Sequence, residues 1–476
     1  MLFNSFSFAI FFIIVTTLYF VLPQKYRWLL LLLSSCYFYM SFVPIYILIL
    51  GFTIIVDYVA GIFLENSVGE KKKAFLILSL IANIGVLATF KYYNFLNDNL
   101  TILLHGAGYT NPIPYLSILL PIGLSFHTFQ AMSYTIEIYR GNQKAERHFG
   151  IYSLYVMFYP QLVAGPIERP QNLLHQFYEK HEFDYERVVR GLKLMLWGFF
   201  KKLVIADRLS IYVNAAYNNV GEHNGKTLLL ATIFFSFQIY CDFSGYSDIA
   251  IGSAEVMGFK LMTNFKRPYF STSIAEFWKR WHISLSTWFK DYLYISLGGN
   301  KVSIPRWYFN LFFVFLVSGL WHGANWTFII WGAINGFYLV AALVINKALV
   351  NYQPLRILKK VPKINIFLQI IITYGLVCFA WIFFRANNLK DSFIVIKKII
   401  QFKGVVFYEA PSMLAYCILG IFMLLIIEFK KEYFNNLFTL SQNKYGYVRK
   451  LYYTFLIIII LLNGVFDGGQ FIYFQF

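Results

Sequence analysis

The chain has 476 residues, 58% of them hydrophobic and only 13% charged, about half the charged share of an ordinary soluble domain. Lys and Arg (41) outnumber Asp and Glu (23), for a net charge of +18; in a chain built of recurrent apolar runs this argues against a nucleic-acid partner and fits basic loops kept on the cytoplasmic side of a membrane. Cys36, Cys241, Cys378 and Cys417 stand far apart in apolar runs, a spacing that suggests neither a disulfide framework nor a zinc site, and they read as packing residues.

A membrane helix needs about 20 apolar residues to cross roughly 30 Å of hydrocarbon. The first run, near 6–22, has no basic segment before it and no small-residue cleavage site after it, so it reads as a transmembrane helix and not a removed signal. Further runs follow near 28–41, 45–64, 74–90 and 115–138. The loops between them alternate. "PQKYR" (23–27), "GEKKK" (69–73) and "YRGNQKAER" (139–147) are basic, whereas the turn near Pro44 and the stretch 94–114 carry no Lys or Arg. The positive-inside rule then puts the N-terminus outside.

The middle is less regular. Segments near 151–165, 190–205, 227–257, 308–320 and 324–346 are interrupted by Gly, Pro and charged residues. Irregular backbone at membrane depth must be buried in protein or line a cavity, so re-entrant pieces are expected here. Clean helices return near 366–384, 411–428 and 451–466, and the basic "NKYGYVRK" (443–450) before the last places the C-terminal tail outside. The expected class is an all-α polytopic membrane protein with about 11 transmembrane helices plus re-entrant or interfacial helices, in one membrane-embedded domain over 1–476.

Within this frame several motifs carry chemistry. In "YPQLVAGPIERPQNLLHQF" (159–177), Pro160, Gly165, Pro166 and Pro170 break any helix and Glu168–Arg169 invites an ion pair; the stretch reads as an architectural loop or re-entrant turn. "QIYCDFSGYSDIAIG" (238–252) sets Asp242 and Asp248 in an apolar stretch with Ser244, Tyr246 and Ser247 between them. The six-residue gap and Gly245 argue against one clean helical face. Such a cluster suits three roles: orienting a histidine, binding substrate hydroxyls, or holding an Arg from another helix.

"STSIAEFWKRWHISLSTWFKDYLYISLGGN" (271–300) opens with Ser273 and Glu276, a capping-box pair. Trp278, Trp281, Leu285, Trp288 and Tyr292 then make an apolar face, and Arg280, Ser284, Thr287 and Asp291 a polar one. The pattern predicts one amphipathic helix over 271–299, ending at Gly298 and Gly299, at the interface or walling a polar cavity. His282 falls at the boundary of the two faces, where it either hydrogen-bonds a carbonyl or serves function.

"LVSGLWHGANWTFIIWGAING" (316–336) holds no Asp, Glu, Lys or Arg, only His322. Ionisable groups inside a membrane are costly and mark function by default. A neutral imidazole near pH 7 accepts a proton, as a general base must. Gly323 would let a substrate approach, and Trp321, Trp326 and Trp331 would wall a channel. The alternative is a histidine donating to a neighbouring helix. The tail "GVFDGGQFIYFQF" (464–476) ends with four aromatics in its last six residues, which burial explains; Tyr473, the only hydroxyl of that hexapeptide, is also a candidate nucleophile.

Taken together, "PIGLSFHTFQAMSYTIEIYRG" (121–141), "PQLVAGPIERP" (160–170), "CDFSGYSDIAIG" (241–252), "FWKRWHISLSTWFKDYLYISLGG" (277–299), "LWHGANW" (320–326), "WIFFRA" (381–386) and the "FIYFQF" ending resemble the membrane-bound O-acyltransferase family, in particular its bacterial alginate O-acetylation branch. The resemblance covers nearly the whole chain. The related family that exports D-alanine onto teichoic acids shares the "RWH" and "WHG" histidines but is more distant elsewhere.

The resemblance implies a ring of tilted helices around a thin central funnel, in a multi-pass protein of the bacterial inner (cell) membrane. It implies acyl transfer from a cytoplasmic thioester, acetyl-CoA, toward an extracytoplasmic polysaccharide such as alginate, cellulose or peptidoglycan, without a metal. His322 becomes the catalytic base and His282 a second active-site residue. Tyr473 becomes the carrier of an acetyl group, handed on to sugar by a separate extracytoplasmic SGNH-type acetyltransferase. Asp242, Ser244, Asp248, Trp321 and Asn325 are the candidate substrate-binding residues. Three other readings compete: O-acylation of a lipid or other small acceptor, transport of an activated envelope precursor, and a purely structural subunit of an export complex.

Overall fold

The computed structural model describes residues 1–117, 121–163, 165–348, 361–408, 410–434 and 445–466. Every regular element among them is helical, as a bilayer requires of segments whose backbone groups must pair internally. Eight of these helices are long and apolar enough to cross a membrane: Pro44–Asn66, Gly69–Gly106, Gly225–Met257, Ile304–His322, Trp326–Ile345, Pro362–Arg385, Pro411–Tyr433 and Gly446–Asn463. The sequence reading expects about eleven. Part of the difference is length: Phe6–Val21, Gln24–Met40 and Leu124–Arg140 are helices of 16, 17 and 17 residues.

The chain forms two compact units, Met1–Met195 with Ser247–Met262, and Leu196–Tyr246 with Thr263–Phe476. The 33-residue helix Gly225–Met257 contributes to both.

In the first unit, Ile47–Asn66, Gly69–Leu87 and Leu124–Arg140 pack on one another around a polar knot. Asp57 is fully buried there. Its carboxylate accepts from Ser79 Oγ at 2.6 Å and Asn83 Nδ2 at 2.9 and 2.8 Å, and Ser79 Oγ lies 3.0 Å from Thr135 Oγ1. One turn before Asp57, Thr53 Oγ1 lies 2.8 Å from His127 Nε2. Buried polar groups need such partners, and here the partners tie three helices together.

The proline-rich stretch 159–177 folds into short turns: Tyr159–Leu162, Pro170–Leu173 and the 3-10 turn Leu174–Phe177. Its Glu168 is 1% exposed. Glu168 accepts from the backbone N–H of Met262, and Tyr155 donates its hydroxyl to the Glu168 carbonyl at 3.0 Å. Burial pushes the Glu168 carboxyl up to about 7, against the opposing pull of the Met262 N–H and Asn172. Since that value lies above the unfolded 4.5, the folded state holds the proton more tightly. The stability this contributes is fully present below pH 4.5 and is lost as pH rises through about 7. At about 1.4 kcal/mol per unit the effect is on the order of 3 kcal/mol. Stability to heat should therefore fall from pH 5 to pH 8 in the natural protein, and Glu168→Gln should make that slope shallower; an unchanged slope would remove Glu168 as a contributor to it.

The second unit is held by an aromatic core that includes Trp281, Trp331, Trp381, Phe384 and Tyr240. Its tightest helix pair is the hairpin Ile304–His322/Trp326–Ala348. Glycine permits the close approach. A Cβ on Gly319 would stand 2.3 Å from the Phe328 carbonyl oxygen, and one on Gly332 would stand 2.4 Å from that of Phe315. At its far end the Gly446–Asn463 helix is fastened to the Phe200–Ala206 turn: Val465 N donates to Leu203 O at 3.1 Å, and Arg208 donates to Asn463 O at 2.7 Å.

Candidate active site

His322 is the last residue of the helix Ile304–His322, immediately before the tight link to Trp326. It is 4% exposed. Its ring centroid lies 4.9 Å from Trp321, 4.9 Å from Trp331 and 5.3 Å from Phe384, each at a steep angle. Trp331 stacks on Trp381 at 5.8 Å, which in turn lies 5.1 Å from Trp281. The imidazole therefore sits in a wall of aromatic rings supplied by three helices. The space beside Gly323, expected to admit substrate, is taken by Phe328: a Cβ on Gly323 would meet that ring at 2.2 Å.

His282 comes to the same wall from another segment. It is 1% exposed, and its ring packs 4.4 Å from Phe243 and 6.4 Å from Trp321. Trp321 thus touches both histidines, which are forty residues apart in the chain. Burial pushes the His282 imidazole down to about 3, so this ring stays neutral at physiological pH.

The stretch around His282 departs from the continuous helix predicted over 271–299. The helix starts where the signature places it and half of the box forms: Ser273 Oγ accepts from Glu276 N at 3.2 Å, but the Glu276 carboxylate accepts from Thr272 N at 2.8 Å, one residue before the cap. But the helix ends at Arg280 and a second begins at Ile283. Between them His282 takes the left-handed conformation, φ 42°, ψ 56°. After a π-turn at Phe289–Tyr294 the segment closes at Gly298 and Gly299, both at positive φ. Below the break, Arg280 pairs with Glu276 at 2.6 Å and Glu432 at 2.9 Å, and Glu432 also binds Arg267 at 2.6 Å. That network anchors the "RWH" segment to the helix Pro411–Tyr433.

Asp242 and Ser244 lie in a separate buried group. Lys202 is completely buried and reaches two carboxylates, Asp207 and Asp242, each at 2.7 Å. Its neighbour Lys201 donates to Ser244 Oγ at 2.9 Å, and Tyr240 donates its hydroxyl to the buried Glu428. Of the three roles open to the Asp242 cluster, this arrangement favours holding a basic side chain, a lysine in place of the arginine considered. Asp242 and Asp248 share one helix, about 120° apart around its axis at 3.6 residues per turn. Asp248 belongs to the first unit.

Asn325 caps the second helix of the hairpin, its Oδ1 accepting from Thr327 N at 3.0 Å while its Nδ2 donates to Asn387 O at 3.3 Å. Trp326 is half exposed and stands outside the wall. Tyr473 and the whole 467–476 tail lie outside the described residues.

Beside the wall is a cavity of about 600 Å³ between the 273–294 segment and the hairpin. Apolar side chains such as Leu311, Val314 and Phe315 form most of it, with Lys279, Lys290 and Ser318 among its polar lining. Ser318 is one turn before His322. Trp278, another lining residue, lies 5.7 Å from Trp331, which touches His322.

Sequence reasoning missed Lys202, Asp207, Asn264 and Glu428. The first two leave a trace, a Lys-Lys pair inside the apolar "WGFFKKLVIAD" with an acid five residues on. Asn264 and Glu428 leave none, because their partners are remote in the chain.

Apolar helices long enough to cross a membrane, with two buried histidines against one aromatic wall, define a multi-pass membrane protein. The membrane-bound O-acyltransferase family model matches residues 148–384, which contain both histidines and the wall. The chain is 41% identical over 396 residues to the "probable alginate O-acetylase AlgI" of Pseudomonas aeruginosa, covering 82% of this chain and 73% of that protein. It is 35% identical over 402 residues to the peptidoglycan O-acetyltransferase of Helicobacter pylori (79% and 74%). It is 26% identical over 278 residues to the teichoic acid D-alanyltransferase of Bacillus subtilis (56% and 69%). The chain belongs to the membrane-bound O-acyltransferase family and is an acyltransferase of the membrane.

Proposed function

We propose that this enzyme moves acetyl groups from cytoplasmic acetyl-CoA through the bacterial cell membrane for O-acetylation of an envelope polymer or exopolysaccharide. The observation that carries the reading is the placement of His322: a buried imidazole at a helix end, sharing Trp321 with His282. The relatives named for alginate and peptidoglycan O-acetylation support the acetyl group and the polymer.

In this mechanism the His322 imidazole accepts the proton of an attacking hydroxyl as its oxygen adds to the thioester carbonyl. Collapse expels the coenzyme A thiolate, which takes a proton and leaves as the thiol. His282, neutral through burial, fits a hydrogen-bonding role better than a basic one. The 600 Å³ cavity is the approach we assign to the donor's thioester arm, because its lining reaches Ser318 and, through Trp278 and Trp331, the edge of His322.

The attacking hydroxyl is that of Tyr473, and an extracytoplasmic SGNH-type transferase then passes the acetyl group to sugar.

The test is incubation with acetyl-labelled coenzyme A followed by denaturation. Label should stay on the natural protein and be absent from Tyr473→Phe. Label retained by Tyr473→Phe would discard the tyrosine relay. No label on either form, with polymer export intact, would favour transport instead.

A further inference from the structure

The break at His282 needs a cause. Nothing local supplies one, since "FWKRWHISL" (277–285) contains neither Gly nor Pro and its apolar stripe runs on unbroken. A non-glycine residue in the left-handed region is strained and persists only where the surroundings impose it. His282 is also in the N-cap position of the helix Ile283–Trp288, yet its side chain makes no capping bond.

The caps come from Asn264, eighteen residues earlier. Ile283 N donates to the Asn264 carbonyl at 2.9 Å. Ser284 donates twice to Asn264 Oδ1, from its backbone N at 3.2 Å and from its hydroxyl at 3.0 Å. Asn264 therefore satisfies the first two N–H groups of the helix, work an N-cap side chain ordinarily does. It is 1% exposed, so water offers these groups little alternative. The strand of chain is pinned once more where Lys266 N donates to Arg280 O at 2.9 Å. The Ile283 bond is to the backbone and survives any substitution, but the two Ser284 bonds need the Asn264 side chain; without Oδ1, the buried Ser284 N–H would regain a partner by continuing the preceding helix through residue 282. That rewinding would turn the imidazole off its place between Phe243 and Trp321.

We infer that Asn264 is a positioning residue that breaks the "RWH" helix and thereby sets the His282 ring against Trp321 and the active-site wall. The inference rests on the reading above, in which His282 belongs to the active site.

The test is a double-mutant cycle on the full-length membrane-reconstituted enzyme, measuring acetyl release from acetyl-CoA. Asn264→Ala should lower kcat roughly 10- to 100-fold, the scale of a misplaced active-site group, with a much smaller change in KM. Added to His282→Ala it should lower kcat no further, because the asparagine acts through that ring. Asn264→Asp keeps the acceptor oxygen but buries a charge, so it should restore part of the rate only as pH falls and its carboxyl takes a proton. Multiplying effects in the double variant would mean a general structural role and overturn the inference, as would a normal rate in Asn264→Ala when His282→Ala is inactive. A normal rate in His282→Ala would instead overturn that residue's role in the proposed function. Should Asn264→Ala not be recovered folded, Asn264→Ser takes its place in the same cycle.

Discussion

His322→Ala should lower acetyl transfer by about 10²- to 10⁴-fold, the range general-base catalysis supplies. The size follows from what surrounds the ring. Trp321, Trp331 and Phe384 contribute no proton acceptor, so no neighbour in that wall can replace the imidazole. Truncation of a buried ring also opens a cavity, and large-to-small changes in cores cost on the order of 2–5 kcal/mol. Lost rate in the alanine variant alone would therefore mix chemistry with stability. His322→Gln separates them: it keeps most of the volume and a hydrogen-bonding end but cannot take a proton near pH 7. The expected pattern is a near-normal unfolding temperature in His322→Gln with turnover as low as in the alanine variant. A glutamine variant retaining a third or more of the rate would mean that His322 is a packing or hydrogen-bonding residue, and the base would have to be sought elsewhere.

How far the sequence could be read depends on the range of each interaction. Helical membrane architecture was plain from runs such as 45–64 and 411–428, because length and hydropathy are local properties. The number of spans was less legible: helices such as Leu124–Arg140 are nearly long enough to cross yet carry polar and charged residues along their length. His322 could be singled out because a lone titratable group in an apolar run is a local contrast. The Ser273 N-cap was equally local and forms. The break at His282 was not legible, since it is imposed by Asn264 through tertiary hydrogen bonds that override a well-formed amphipathic pattern. Likewise the two aspartates of "CDFSGYSD" announced a polar centre without naming Lys202, whose partnership with Asp242 exists only after folding.

That partnership sets the largest expected effect on stability. Lys202→Met should destabilise the protein by about 3–5 kcal/mol, the cost of leaving buried charge uncompensated. In the natural protein one ammonium answers two carboxylates, Asp207 and Asp242, at 2.7 Å each, and none of the three is more than 5% exposed at its side chain. Methionine fills much of the lysine's volume, so the loss is of charge and hydrogen bonds and not of packing. Two carboxylates would then face each other without a counter-ion, and proton uptake is their readiest relief. The variant should consequently be more stable at pH 5 than at pH 8, since a folded state that binds extra protons gains stability as pH falls. Lys202→Met combined with Asp207→Asn and Asp242→Asn should recover most of the loss and return the pH dependence to no more than that of the natural protein, because the charge buried at this triad is then gone. Unfolding temperatures of the purified protein in detergent decide the matter. A Lys202→Met variant within about 1 kcal/mol of the natural protein would show that the triad is solvated or already protonated and contributes little to the fold.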